Sequence, residues 1–157
     1  SYNYSINSQS FILNDKVIFE LDVNITSSER MELTADRGKF AAPNEMSNVI
    51  LKIGDEKLHV SKEYLSVHSP VFKTMFFGDF AENGKEEVEL KDVVYEEFVD
   101  LLYMIYPGPF KITDSTVIHL LVLSDRFQIK HIRYPAVAHL RNSKKFATAQ
   151  KLAVADK

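Results

Sequence analysis

Five histidines, His59, His68, His119, His131 and His139, are the side chains best suited to move a proton or hold a metal near neutral pH. Their spacing supports neither task. No two of them stand in a ligand spacing backed by a third donor, and the chain has no cysteine to supply a thiolate. Ser61, Ser69 and Ser124 each lie within a few residues of a His or an Asp, the raw material of a nucleophile and its base. None sits in a nucleophile elbow, and Ser61 and Ser69 stand where helices should begin, as caps. Gly54 and Gly78 are isolated turn glycines and form no phosphate-cradling loop. The expectation is a protein with no catalytic group, no metal and no cofactor, whose work is done by surfaces.

The aromatic cluster Phe72, Phe76, Phe77 and Phe80 is the strongest surface candidate. Phe72 and Phe76 are one helical turn apart and belong in a core. Phe77 and Phe80 fall near the helix end, where the face turns outward, and Phe80 is read as a partner-docking side chain. The acidic stretch 82–100 is read first as a solvated face, and second as a field that steers a basic partner. The basic residues of the C-terminal third, from Lys130 to Lys151, are read as solvated in the same way.

Length and composition bound these readings. The 157 residues suffice for one domain with appended segments, and a net charge of −3 gives no reason to expect nucleic-acid binding. No apolar run approaches the roughly 20 residues that cross a bilayer, so no membrane contact is expected. The absence of cysteine excludes a disulfide scaffold and fits an intracellular setting, cytoplasm or nucleus. The first residue is not Met, so position 1 reads as a cut edge rather than a natural start. Asn3-Tyr4-Ser5 and Asn24-Ile25-Thr26 match the glycosylation sequon, a pattern short enough to arise by chance.

The elements that must position the aromatic cluster follow from periodicity. Asn14-Asp15 offers a turn, and Val17, Phe19, Leu21, Val23 and Ile25 then alternate as one face of a strand. Residues 26–45 form a polar connector with Met31, Leu33 and Phe40 as scattered apolar anchors. Val49, Leu51 and Ile53 alternate, Gly54-Asp55-Glu56 turns, and 57–60 return as a second strand. Ser61 caps a short helix with Tyr64, Leu65 and Val67 as its apolar members. Ser69 caps the next, Pro70 takes its first position, Val71, Phe72, Met75 and Phe76 share a face, and Gly78 stops it. Val88 and Leu90 make a third strand. A helix follows through Tyr106 and ends at Pro107-Gly108-Pro109. Thr113 or Asp114 caps another helix. Residues 129–142 form a further one in which Pro135 is expected to begin a second piece, and 146–155 form a last amphipathic helix.

This order resembles the BTB/POZ fold over residues 46–142. The residues that carry the resemblance are Leu51-Lys52-Ile53-Gly54, Val60-Ser61-Lys62, Leu65, Ser69-Pro70-Val71-Phe72 and Met75-Phe76. Val88-Glu89-Leu90-Lys91-Asp92-Val93, Phe98, Leu101-Leu102 and Tyr106 complete the set. Phe11–Ile25 is similar to the last strands of a MATH domain, and 143–157 to the helices that follow the BTB unit in MATH–BTB proteins of the kind expanded in nematodes. The expected organisation is a MATH remnant over 1–25, a linker over 26–45, the BTB domain over 46–142 and the start of a helical extension over 143–157. The fold class is α/β (α+β), a small mixed sheet flanked by a cluster of helices, with an extra C-terminal helix.

The resemblance implies a non-enzymatic substrate adaptor of a cullin-3 RING ubiquitin ligase. In that family the BTB unit dimerises and binds the cullin, and a MATH domain captures the protein substrate. The cullin-binding motif, a hydrophobic residue, any residue and then Glu, would be Phe80-Ala81-Glu82, with Phe77 beside it. The homodimer contact implied is Leu33, Phe40, Met46, Tyr64 and Leu65, and for Phe40 and Met46 the alternative is a connector folded back on its own domain. The alternative function is a BTB self-association module for transcriptional or cytoskeletal assembly, with no cullin. Two departures stand out. Many BTB domains carry Asp where this chain has Asn48, and His where it has Ser61. Losing that carboxylate puts in doubt the charged corepressor pocket of repressor-type members.

Overall fold

The computed structural model describes the backbone of residues 4–13 and 16–25 and the full structure of residues 38–79 and 85–144. β1 (Tyr4–Leu13) and β2 (Lys16–Ile25) form an antiparallel ladder from Leu13↔Lys16 to Tyr4↔Ile25, with register shifts at Ile6/Gln9 and Phe11/Ile12. The sequence marked the second strand and the turn. The first begins at Tyr4, seven residues before the expected start at Phe11, because its polar run SINSQS gives no alternation to read.

The second sheet has three strands in the order β4-β3-β5. β3 (Val49–Ile53) is central and alternates buried and half-buried side chains. It pairs antiparallel with β4 (Glu56–Val60) through a two-residue turn at Gly54, whose φ of +60° favours a residue without a Cβ. β5 (Glu87–Glu89) lies parallel to β3 on its other side, with Leu51↔Val88 in register. A parallel pair needs a long crossover. Here that crossover contains β4, α1 (Lys62–His68) and α2 (Pro70–Phe77).

Both crossover helices start as the sequence predicts. The Ser61 hydroxyl accepts from the Tyr64 N–H at 3.2 Å, and the Ser69 hydroxyl from the Phe72 N–H at 3.1 Å. Ser69 also donates to the Phe127 carbonyl at 2.6 Å, which ties this elbow to the far end of the domain. α2 ends at Gly78, but in extended backbone (φ −79°, ψ 176°) rather than the left-handed cap that a glycine stop suggests.

α3 (Tyr95–Ile105), α4 (Val117–Arg126) and α5 (Lys130–Asn142) complete the domain. Two expectations fail here. α4 starts at Val117, because residues 114–116 form a turn first and Thr116 takes the cap position without a side-chain cap bond. Pro135 begins no new piece; it sits inside one continuous α5. Its ring faces solvent, so the helix passes through it at the cost of one backbone bond to His131. The core gathers around Phe72, whose ring stacks on Phe127 (4.6 Å, 7°) and meets Phe98 edge-on (6.2 Å). A smaller cluster of Val117, Ile118 and Leu121 against Ala136 and Leu140 joins α4 to α5.

Candidate protein-docking surface

The face of α2 divides in two. Phe72 and Phe76 are buried in the core, while Val71 and Met75 are half-buried and line a groove with Pro70 and Thr74. Val88 and Glu89 of β5 form the opposite wall and Gln128 closes one end; the groove measures about 480 Å³. Gln128 holds a left-handed φ of 55° at the corner between α4 and α5. That corner is fixed from the other side by Arg126, whose guanidinium donates to the carbonyls of Lys91 and Asp92, both at 2.7 Å. Glu86, Glu87 and Glu89 are exposed along β5. Lys57 donates to Glu87 at 2.8 Å and thereby holds that carboxyl below the ordinary carboxylate range.

Phe77 is 51% exposed at the end of α2, as its place on the helix predicts. Phe80 and Glu82 lie outside the described residues, in the chain that joins the two walls of the groove. The last amphipathic helix and Leu33 also lie outside them.

The residues expected to face a second copy separate. Met46 is 75% exposed. Tyr64 is half-buried, with its ring centroid 4.6 Å from that of Tyr106 and its hydroxyl donating to the Ile105 carbonyl at 3.4 Å. Phe40 and Leu65, at 2% and 0% exposure, are sealed in the core of their own chain and have no surface to offer. Leu65 occupies the inner face of α1, and Phe40 folds back onto its own domain. Val67, by contrast, is 81% exposed. The expectation that Val67 packs inward with Tyr64 and Leu65 fails, because two residues at 100° each place it opposite Leu65.

Asn48 ties the start of the sheet to α1. Its side-chain oxygen accepts from the Lys62 N–H at 2.9 Å and its amide donates to Glu63 at 2.7 Å. This bond, followed by Glu63's own backbone N–H, lowers the Glu63 pKa. The Lys62 ammonium meanwhile donates to the Lys85 carbonyl at 2.9 Å. The Asn48 amide thus braces the residue before β3 against the first turn of α1. Among the described residues no three His, Asp or Glu side chains are grouped to hold a metal ion. No helix among them is long and apolar enough to cross a membrane.

A three-stranded mixed sheet, a Ser-capped helical hairpin and three further helices in this order define a protein-interaction module of the BTB/POZ class. The BTB/POZ domain family matches residues 38–144, and the chain belongs to that family. The chain is 34% identical over 151 residues to BTB and MATH domain-containing protein 38 of Caenorhabditis elegans, covering 96% of this chain and 39% of that protein. It is 33% identical over 150 residues to the nematode's BTB and MATH domain-containing protein 36, covering 93% and 46%. Human Kelch-like protein 28 matches at 29% over 119 residues, 76% of this chain and 21% of that protein. The chain thus spans less than half the length of these curated relatives. The solved BTB domain of zebrafish PATZ1 shares the fold, with a TM-score of 0.52 at 18% identity, covering 62% of this chain and 77% of that one.

Proposed function

We propose that this chain is the cullin-binding, self-associating part of a substrate adaptor for a cullin-3 RING ubiquitin ligase, acting without chemistry of its own inside the cell. One observation carries the reading: in a BTB/POZ domain, α2 ends on the exposed Phe77, and Phe80-Ala81-Glu82 follows at once. Phe80 would fill an apolar pocket on the scaffold, and Glu82 would accept hydrogen bonds or pair with a basic group there. The groove between α2 and β5 lies at the two ends of that connection and offers Val71 and Met75 as further apolar contact.

Residues 1–25 are the end of a MATH domain in this reading, 26–45 its linker, 46–142 the BTB unit and 143–157 the start of a helical extension. The protein substrate is held by the MATH domain. The mechanism is proximity. A substrate fixed near the charged conjugating enzyme reacts at a raised effective concentration, and two copies per dimer add avidity.

The test is a titration of the chain against a cullin-3 N-terminal domain. Binding is expected, and Phe80→Asp or Glu82→Ala should each weaken it at least tenfold. No binding by the wild type, or binding unchanged from the wild type in both variants, rejects the adaptor reading. A self-association module without cullin is the second reading. The exposed Met46 and Val67 favour it, since they offer an apolar contact remote in sequence from the motif.

A further inference from the structure

The chain entering the domain is bound to it. Phe40 is buried at 2% exposure, nine residues before β3 begins at Val49. Its ring meets Tyr103 edge-on at 5.3 Å and Tyr106 at 5.0 Å, both on the same side of α3 and its C-cap. Its carbonyl accepts from the His59 N–H at 2.8 Å. That N–H lies on the outer edge of β4, which no strand pairs among the described residues, so Phe40 also caps an open sheet edge. The Lys39 ammonium lies 5.7 Å from the centroids of both the Phe40 and Tyr106 rings. Ring, backbone and the neighbouring cation hold three residues at once.

We propose that residues 38–41 form a docked strap, with Phe40 as its anchor, that fixes where and in which direction the preceding chain leaves the domain. A connector anchored at Phe40 reaches less far than its full length would. Its tethered partner is confined to a smaller volume at a set bearing, and effective concentration depends on that reach. The docking itself stands independently of cullin binding. Its consequence for substrate placement rests on the adaptor reading.

Amide hydrogen exchange on the full chain tests the strap. The His59 amide should exchange at least a hundredfold more slowly than that of an exposed loop residue such as Gly108, and at the same rate across a dilution series. In Phe40→Ala it should speed up at least tenfold while the α3 amides of Leu101 and Leu102 stay protected, with Met46→Ala as an unchanged control. If Phe40→Ala does not fold, Phe40→Leu and trypsin cleavage after Lys39 take its place. Cleavage in the wild type should then be at least tenfold slower than in Phe40→Leu. A His59 amide as fast as loop amides in the wild type overturns the proposal. So does protection that vanishes on dilution, which would place the Phe40 of a second copy in the socket. Neither result depends on whether a cullin binds.

Discussion

His119 Nε2 lies 2.9 Å from an Asp100 carboxylate oxygen, and both side chains are almost fully buried between α3 and α4. The pair is not legible in the sequence, because the partners stand 19 positions apart on helices whose relative rotation cannot be read locally. Removing one member leaves the polar atoms of the other buried without that neighbour, at a cost of about 1–3 kcal/mol. His119→Leu should therefore lower stability by about that amount in urea denaturation, and adding Asp100→Leu should recover part of the loss by removing the stranded polar group. Equal stability in all three proteins would show that the pair contributes nothing. Ser69 is the opposite case. Its capping role was legible from Ser-Pro, whereas its second bond, to the Phe127 carbonyl, was not. Ser69→Ala should cost about 2–3 kcal/mol, a lost cap plus a buried acceptor left unsatisfied, and a loss under 1 kcal/mol by the same measurement would contradict the double role. His131 gives a pH dependence. Burial, and then the neighbouring His68 at 4.8 Å between ring centroids, lower its pKa from 6.5. On acidification the unfolded chain gains this proton first, so stability is unaffected above the unfolded value, falls below it, and levels off beneath the folded value. Urea midpoints between pH 7.5 and 5 should fall less steeply for His131→Gln than for the wild type, and parallel profiles would exclude the effect.

Elements were legible wherever a period and a stop signal agreed. β3, β4, α1 and α2 fall where alternation, turn and caps put them, because each carries its own chemistry: Gly54 for the turn, Ser61 and Ser69 for the helix starts. The failures have different causes. A local turn over residues 114–116 delays α4, whereas Ala136 and Leu140 pack on α4 and that burial keeps α5 one helix through the proline. Pro135→Ala should restore the missing backbone bond and stabilise the domain by about 1–3 kcal/mol, read as a higher melting temperature. A destabilised variant would mean that the ring is needed where it stands. At the candidate site, Phe77 was legible from its place at a helix end. The groove beside it was not, since Val88, Glu89 and Gln128 reach it only through the crossover and the α4–α5 corner.

At the scale of the whole molecule, Met46 and Val67 expose apolar surface while Phe40 and Leu65 are buried in their own chain, and the self-association proposed above is tested at Val67. Light scattering at micromolar concentration should return twice the 18.0 kDa chain mass, and Val67→Glu should shift it toward one chain. A wild-type monomer would count against this surface. The stacked rings of Phe72 and Phe127, with the Ser69 hydroxyl on the Phe127 carbonyl, also govern the order in which the chain can mature. During synthesis the first half of the domain leaves the ribosome before the Phe98 and Phe127 rings that pack on Phe72 have been made. That part of its core surface stays uncovered until the chain has grown past residue 127. Any transcript that stops earlier would deliver a sticky fragment to the chaperones.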